Sequence, residues 1–349
     1  MDVLSILKEL SINTAVSGNE HTMSEYIKSM FEKYCDEAAV DSFYNILGVK
    51  KGLGNSNSKI MVSAHYDEIG FIVTGFEEGG FLRFSNIGGI DAKILLAQEV
   101  TIHGRKPLYG IIGAKPPHLL NAEETRKAVK IDELVIDTGL DAEELKKIVS
   151  IGDFITLKAL PFSLKGNRLS SKSLDNRAGL CALALLLEEL SELKHDADVY
   201  VLASTQEEVG LRGIQVAAYK LEPDLAIVID ACHGEISDSP KGEAYPLGKG
   251  PAIGIGPNLH RKLTNKIIDI AKEENIPYQT NIEPEDTGTE AWATQVSRAG
   301  IPTILLSIPL RYMHTTVETL DISDVKNIAR LAARFISKGC REVGDLWCY

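Results

Sequence analysis

Apolar residues in this chain cluster into short unbroken runs separated by longer amphipathic stretches. Lys59-Ile60-Met61-Val62-Ser63-Ala64, Val199-Tyr200-Val201-Leu202-Ala203, Asp224-Leu225-Ala226-Ile227-Val228-Ile229-Asp230 and Pro302-Thr303-Ile304-Leu305-Leu306-Ser307-Ile308 have strand length and β-branched content. Runs of this kind, lacking polar alternation, predict parallel strands covered on both faces. Helical spacing marks the first ten residues, about 20–34, 180–190 and 323–337. From Phe71 to about Leu164 the rhythm changes. Strand-like pieces (Phe71–Gly75, Phe81–Phe84, Glu99–Ile102, Gly110–Gly113, Phe154–Leu157) alternate with turns such as Gly79-Gly80 and Gly88-Gly89, and one helical stretch lies near Asp141–Val149. The expected fold is α/β: a three-layer catalytic domain with a mostly parallel central sheet, built from residues 1–70 and 165–349. It carries an inserted β-rich domain over 71–164.

The residues just beyond each apolar run carry the chemistry. The first runs into His65-Tyr66-Asp67, the second into Glu207-Glu208, the third ends in Asp230 with His233 beyond, and the last leads to His314. Asp175-Asn176 precedes the apolar helix. Open α/β sheets bind ligands at the carboxyl ends of their strands, so all should meet at one rim. Taken singly, each has a plain alternative: a solvated acidic turn for Glu207-Glu208, a helix cap for Asp175, a structural histidine for His65. On extended backbone His65 and Asp67 share a face, so Asp67 can orient a ring that binds metal. Adjacent Glu207 and Glu208 diverge and can take different jobs, one on a metal and one on a proton; which does which is open, as is the choice between Asp230 and His233. Two histidines with several carboxylates suit zinc, cobalt or manganese better than calcium or copper.

Composition narrows the class. A net charge of -12 argues against nucleic acid, which requires clustered Lys and Arg. No apolar stretch is long enough to cross a bilayer, and the N-terminus reads as an amphipathic helix instead of a signal peptide. Five cysteines, odd in number and without paired short spacing, point to a reducing cytoplasm. Cys181 reads as a core residue, Cys232 as no nucleophile, and Cys340 and Cys348 as unpaired.

Across nearly its whole length the chain resembles the M42 metallo-aminopeptidases, the glutamyl-aminopeptidase and tetrahedral-aminopeptidase group. The motifs are Ser17-Gly18-Asn19-Glu20, Ala64-His65-Tyr66-Asp67-Glu68-Ile69-Gly70, Gly113-Ala114-Lys115-Pro116-Pro117-His118, Leu174-Asp175-Asn176-Arg177, Gln206-Glu207-Glu208-Val209-Gly210 and Arg311-Tyr312-Met313-His314-Thr315. A departure at Asp286-Thr287-Gly288-Thr289-Glu290-Ala291-Trp292 bears on substrate preference. The resemblance implies two divalent metal ions per subunit. Asp175 bridges them, His65 and Asp230 complete one site, and Glu208 and His314 the other. It makes Glu207 the general acid/base and Asp67 the partner of His65, and it favours Asp230 over His233. It further implies removal of N-terminal residues from short peptides. The insert becomes a PDZ-like or β-barrel lid and dimerisation domain, in a homo-oligomer that reaches a dodecamer in some relatives. The competing functions are a metal-dependent amidohydrolase or deacylase on the same scaffold, and an endoglucanase-type glycosidase.

Overall fold

The computed structural model describes residues 1–53, 58–119, 129–240 and 242–339. Helices α1 (Val3–Ile12) and α2 (His21–Phe31) lead into strands β1 (Glu37–Val40), β2 (Ile46–Lys50) and β3 (Lys59–His65). Next come β4 (Gly70–Phe76), β5 (Phe81–Ile87), β6 (Glu99–His103), β7 (Pro107–Gly113), β8 (Val135–Asp137), helix α3 (Ala142–Ile148) and β9 (Phe154–Leu157). The chain continues through β10 (Phe162–Ser163), β11 (Arg168–Ser171), α4 (Leu174–Glu192), β12 (Asp198–Ser204), α5 (Arg212–Leu221) and β13 (Leu225–His233). It closes with β14 (Ala252–Ile255), α6 (Arg261–Glu273), β15 (Gln279–Ile282), α7 (Glu290–Thr294), β16 (Thr303–Leu310), β17 (Glu318–Asp321) and α8 (Ile322–Gly339).

One sheet of eight strands, in the order β1-β2-β12-β3-β13-β16-β14-β15, forms the centre. Its four middle strands are the four apolar runs, and they pair in parallel. The edges qualify the expectation of a mostly parallel sheet: β2 runs antiparallel to β12, and β14 antiparallel to β16. Alternate residues divide between two cores. Ile60, Val62 and Ala64 of β3 pack with α1, α2, α4, α6 and α8, while Met61 packs with α5 on the other side. Helix α4 is apolar around most of its circumference because it lies buried between the sheet and its neighbours, and Cys181 is part of that core. Cys340 and Cys348 fall outside the described residues.

Strands β4 to β9 close into a six-stranded barrel in the order β4-β5-β8-β7-β6-β9. Closure removes the free edges that five short strands would otherwise expose, and the three-residue β8, which the sequence pattern did not reveal, completes it. Its core, including Phe71, Phe84, Ile102, Ile136 and Ile155, is separate from that of the sheet. Phe71 and Phe84 meet edge to face at 5.2 Å.

Candidate active site

The carboxyl ends of the middle strands gather the predicted residues. The β3–β13 ladder pairs Ser63 with Val228. Two residues further on, His65 and Asp230 project from the same face of neighbouring strands, and His65 Nε2 lies 3.6 Å from Asp230 Oδ1. The other residues sit less simply than strand ends. β12 stops at Ser204, so Glu207 and Glu208 occupy a loop turned by Gln206 at φ 52°. β16 stops at Leu310, short of His314, and β13 continues past Asp230 to His233.

Asp175 arrives from the start of α4, where the cap and the site divide between two residues. Asn176 Oδ1 accepts from the Gly179 amide at 2.9 Å, which caps the helix. Its Nδ2 donates to the Ile229 carbonyl at 2.9 Å and to Asp230 Oδ1 at 3.2 Å, tying helix to strand. Asp175, at φ -80° and ψ 106°, is left for the cluster. Its Oδ1 lies 3.3 Å from His65 Nε2 and its Oδ2 3.4 Å from His314 Nε2. Glu208 Oε1 is 3.3 Å from His314 Nε2, and Glu207 Oε2 is 3.9 Å from His65 Nε2. All six residues thus share one cluster.

Both rings are aimed from behind. His314 Nδ1 is 2.7 Å from the Gly89 carbonyl, which can accept a hydrogen bond from Nδ1–H and so keeps Nε2 turned to the cluster. Gly89 belongs to the barrel segment, so both units build the site. Behind His65, Asp67 Oδ1 lies 3.5 Å from Nδ1, an ion-pair distance longer than a made hydrogen bond. Asp67 is fully buried and also accepts from Ser17 Oγ at 2.6 Å and from the backbone amides of Glu207 at 3.0 Å and Glu208 at 3.3 Å. One carboxylate therefore anchors the double-glutamate loop by hydrogen bonds and stands behind the ring.

Several supporting residues escaped the sequence reading. Buried Glu318 accepts from the amides of His314 (2.8 Å) and Asp175 (3.1 Å), fixing two cluster members from one side chain. Glu20, the last residue of the Ser17-Gly18-Asn19-Glu20 motif, accepts from the Gln206 amide at 3.0 Å. Glu68 is the hub of a buried ionic cluster: Oε2 pairs with Lys172 Nζ at 2.5 Å and with Ser173 Oγ, and Oε1 accepts from Ala15 N at 2.9 Å and faces Arg177 Nη2 at 3.4 Å. Glu20 and Glu68 lie within motifs that carry the resemblance, which was the signal that could have been followed, and Glu318 follows His314 by four residues.

The charges are badly matched. Burial pushes the Glu207 carboxyl up to about 10, with His65 opposing and Asp230 and Glu208 adding to the rise. Burial likewise raises Glu208 and Asp230, although His314 and His65 respectively work against it. Burial lowers the His314 imidazole, but Asp175 and Glu208 overturn this and carry it to about 11. Four carboxyl groups crowd into one buried place, and the raised carboxyls and the raised His314 imidazole are two responses to that crowding, which divalent cations would relieve. Three sets of potential ligands, His65/Asp175/Asp230, His65/Glu207/Glu208 and Asp175/Glu208/His314, each bring their atoms within 4.8 Å of one another. The nitrogen and oxygen donors fit divalent transition metals.

Residues 45–331 match the family model of the M42 glutamyl aminopeptidases. The chain belongs to the M42 family. It is accordingly a peptidase, and M42 aminopeptidases are metal-dependent. This M42 chain is 36% identical to a lysyl aminopeptidase of Pyrococcus furiosus over 343 residues, covering 95% of this chain and 96% of that one. An aminopeptidase from the archaeon Desulfurococcus kamchatkensis superposes with a TM-score of 0.92 at 34% identity, covering 99% and 98%. The TET1 peptidase of Pyrococcus horikoshii, which can assemble into a tetrahedron or a large octahedral shell, gives 0.84 at 30% identity, covering 97% and 100%. No helix among the described residues is long and apolar enough to cross a membrane.

A cavity of about 390 Å³ opens beside the cluster, lined by Ala231 next to Asp230 and Met313 next to His314. His233 is on its wall. Trp292 is not: it lines a second hollow with Tyr219 and Arg298.

Proposed function

We propose that the chain is a dinuclear metal-dependent aminopeptidase that removes N-terminal residues from short peptides. The observation that carries this reading is Asp175, whose two oxygens face two different imidazoles at 3.3 and 3.4 Å. That division suits a carboxylate bridging two divalent cations, zinc or cobalt first and manganese next. His65 and Asp230 would complete one site, Glu208 and His314 the other. Bound there, such cations supply Lewis acidity, making a water acidic near neutral pH and drawing charge from a carbonyl.

The protein's own groups do the rest. Glu207 is poised on its loop by Asp67 and takes a proton from the attacking water. It then delivers that proton to the departing amine. Asp67 and the Gly89 carbonyl keep the imidazoles turned towards the cluster. The barrel, within an insert over 71–164 of a host formed by 1–70 and 165–349, serves as lid and dimerisation surface of a homo-oligomer, and the protein works in the cytoplasm. Neither the amidohydrolase nor the glycosidase alternative is favoured; a two-carboxylate glycosidase would leave both imidazoles idle.

The deciding experiment is hydrolysis of aminoacyl-p-nitroanilides by chelated protein re-supplied with zinc, cobalt or manganese. Metal-dependent release from free, but not N-blocked, substrates is expected. Equal cleavage of blocked substrates would overturn exopeptidase action.

A further inference from the structure

The cavity beside the cluster has a chemical character of its own. Its near wall is formed by Ala231 and Met313, each adjacent in sequence to a cluster residue, so a side chain on a substrate held at the cluster has a short way in. The near wall is apolar enough for a methylene stem. The polar feature is Glu283, half-buried at the end of β15. Its carboxylate is held in place: Tyr245 Oη donates to Asn281 Oδ1 at 2.7 Å, which orients the Asn281 amide so that Nδ2 donates to Glu283 Oε1.

Glu283 forms no ion pair with any described residue, and no described residue lining the cavity is a lysine or arginine. Exposed Glu243 adds a second negative charge on the lining. A carboxylate that is oriented, partly desolvated and without a counter-charge is costly to the protein alone, and a cation brought by a ligand relieves it.

We propose that this cavity receives the side chain of the substrate's N-terminal residue, and that Glu283 selects a cationic one, lysine or arginine. The inference rests on the aminopeptidase reading of the cluster. In the bound arrangement, the alkyl stem lies along Met313 and Ala231 while the ammonium or guanidinium group reaches the free Glu283 oxygen. Glutamate and aspartate are disfavoured by repulsion from the same carboxylate. Leucine is accepted, but without a charge-assisted hydrogen bond.

Two measurements separate this proposal from the reading beneath it. The first compares kcat/KM for lysyl, arginyl, leucyl and glutamyl p-nitroanilides in the metal-loaded protein and in Glu283→Gln and Glu283→Lys. The lysyl-to-leucyl ratio should exceed one and fall about 10- to 100-fold in Glu283→Gln, the range for losing a hydrogen bond to a charged group. Glu283→Lys should turn the preference towards glutamyl. The second is calorimetric binding of free lysine against its uncharged isostere norleucine. Tighter lysine binding that depends on Glu283 supports the cavity even if no amide is hydrolysed, an outcome that sinks the aminopeptidase reading alone. Brisk turnover with a lysyl-to-leucyl ratio unmoved by either variant, and equal binding of lysine and norleucine, overturns the cavity assignment and leaves the aminopeptidase intact.

Discussion

Glu68→Gln tests whether the buried ionic cluster behind the site holds the fold together. Glu68 is 2% exposed, Lys172 5% and Arg177 0%, so the substitution keeps the shape and leaves two buried cations without their anion. Breaking one partner out of a buried pair costs about 3–5 kcal/mol, a large share of the roughly 5–15 kcal/mol that holds a typical domain. With an unfolding entropy of about 2.1 cal/mol/K per residue, a chain of 349 residues has roughly 0.7 kcal/mol/K in total, and the melting temperature should fall by about 4–7 °C. Lys172→Met removes one cation and leaves Glu68 with Arg177, so its cost should be smaller, about 1.5–3 kcal/mol for a charged hydrogen bond. The double variant should be less destabilised than the sum of the two.

The same geometry fixes the sign with pH. Burial raises the Glu68 carboxyl, but the attraction of Lys172 and Arg177 outweighs it and holds it below the ordinary carboxylate range. A depressed carboxyl contributes stability above its unfolded value and loses it as pH falls through the folded one. Calorimetric melting at neutral pH should therefore separate wild type from Glu68→Gln, with the gap closing in acid. A shift under about 1 °C at neutral pH, or strict additivity in the double variant, would refute the reasoning.

Other outcomes are expected at the cluster itself. Glu207→Gln should retain its metal by elemental analysis and lose nearly all turnover; near-normal activity would remove Glu207 from proton transfer. Asp175→Ala should lose both ions together on dialysis, and a variant that keeps one tightly would contradict bridging. Asp67→Asn should lower activity or metal affinity by about 10- to 100-fold, as loss of a carboxylate behind a ligating histidine does. Unchanged metal titration and turnover would show that the 3.5 Å contact to His65 is idle.

The middle of the fold was legible because its strands are buried on both faces and so appear as unbroken apolar runs. His65, Asp175, Glu207, Glu208, Asp230 and His314 were legible because each comes after such a run or opens the helix packed on it. The edges of the sheet were not: β1 is only four residues long and none of them is fully buried, and β15 has a single apolar residue, Ile282. Helix α6 buries Leu263, Ile267, Ile270 and Ala271 at helical spacing, but it bears no residue of the cluster. Lys172 and Arg177 have residue types normally found at the surface, and nothing local shows that they are buried. The Gly89–His314 contact joins residues 225 apart, a relation that only the folded chain creates.

That last contact bears on how such proteins diversify. An insert closed into its own barrel, with its own core, looks like a cassette that recombination could exchange between relatives to alter assembly or access. Yet the carbonyl that faces His314 Nδ1 comes from the barrel segment. A chimaera that grafts a foreign barrel inherits a foreign Gly88-Gly89 turn with it, and so changes what stands behind His314 without touching any residue outside the barrel segment.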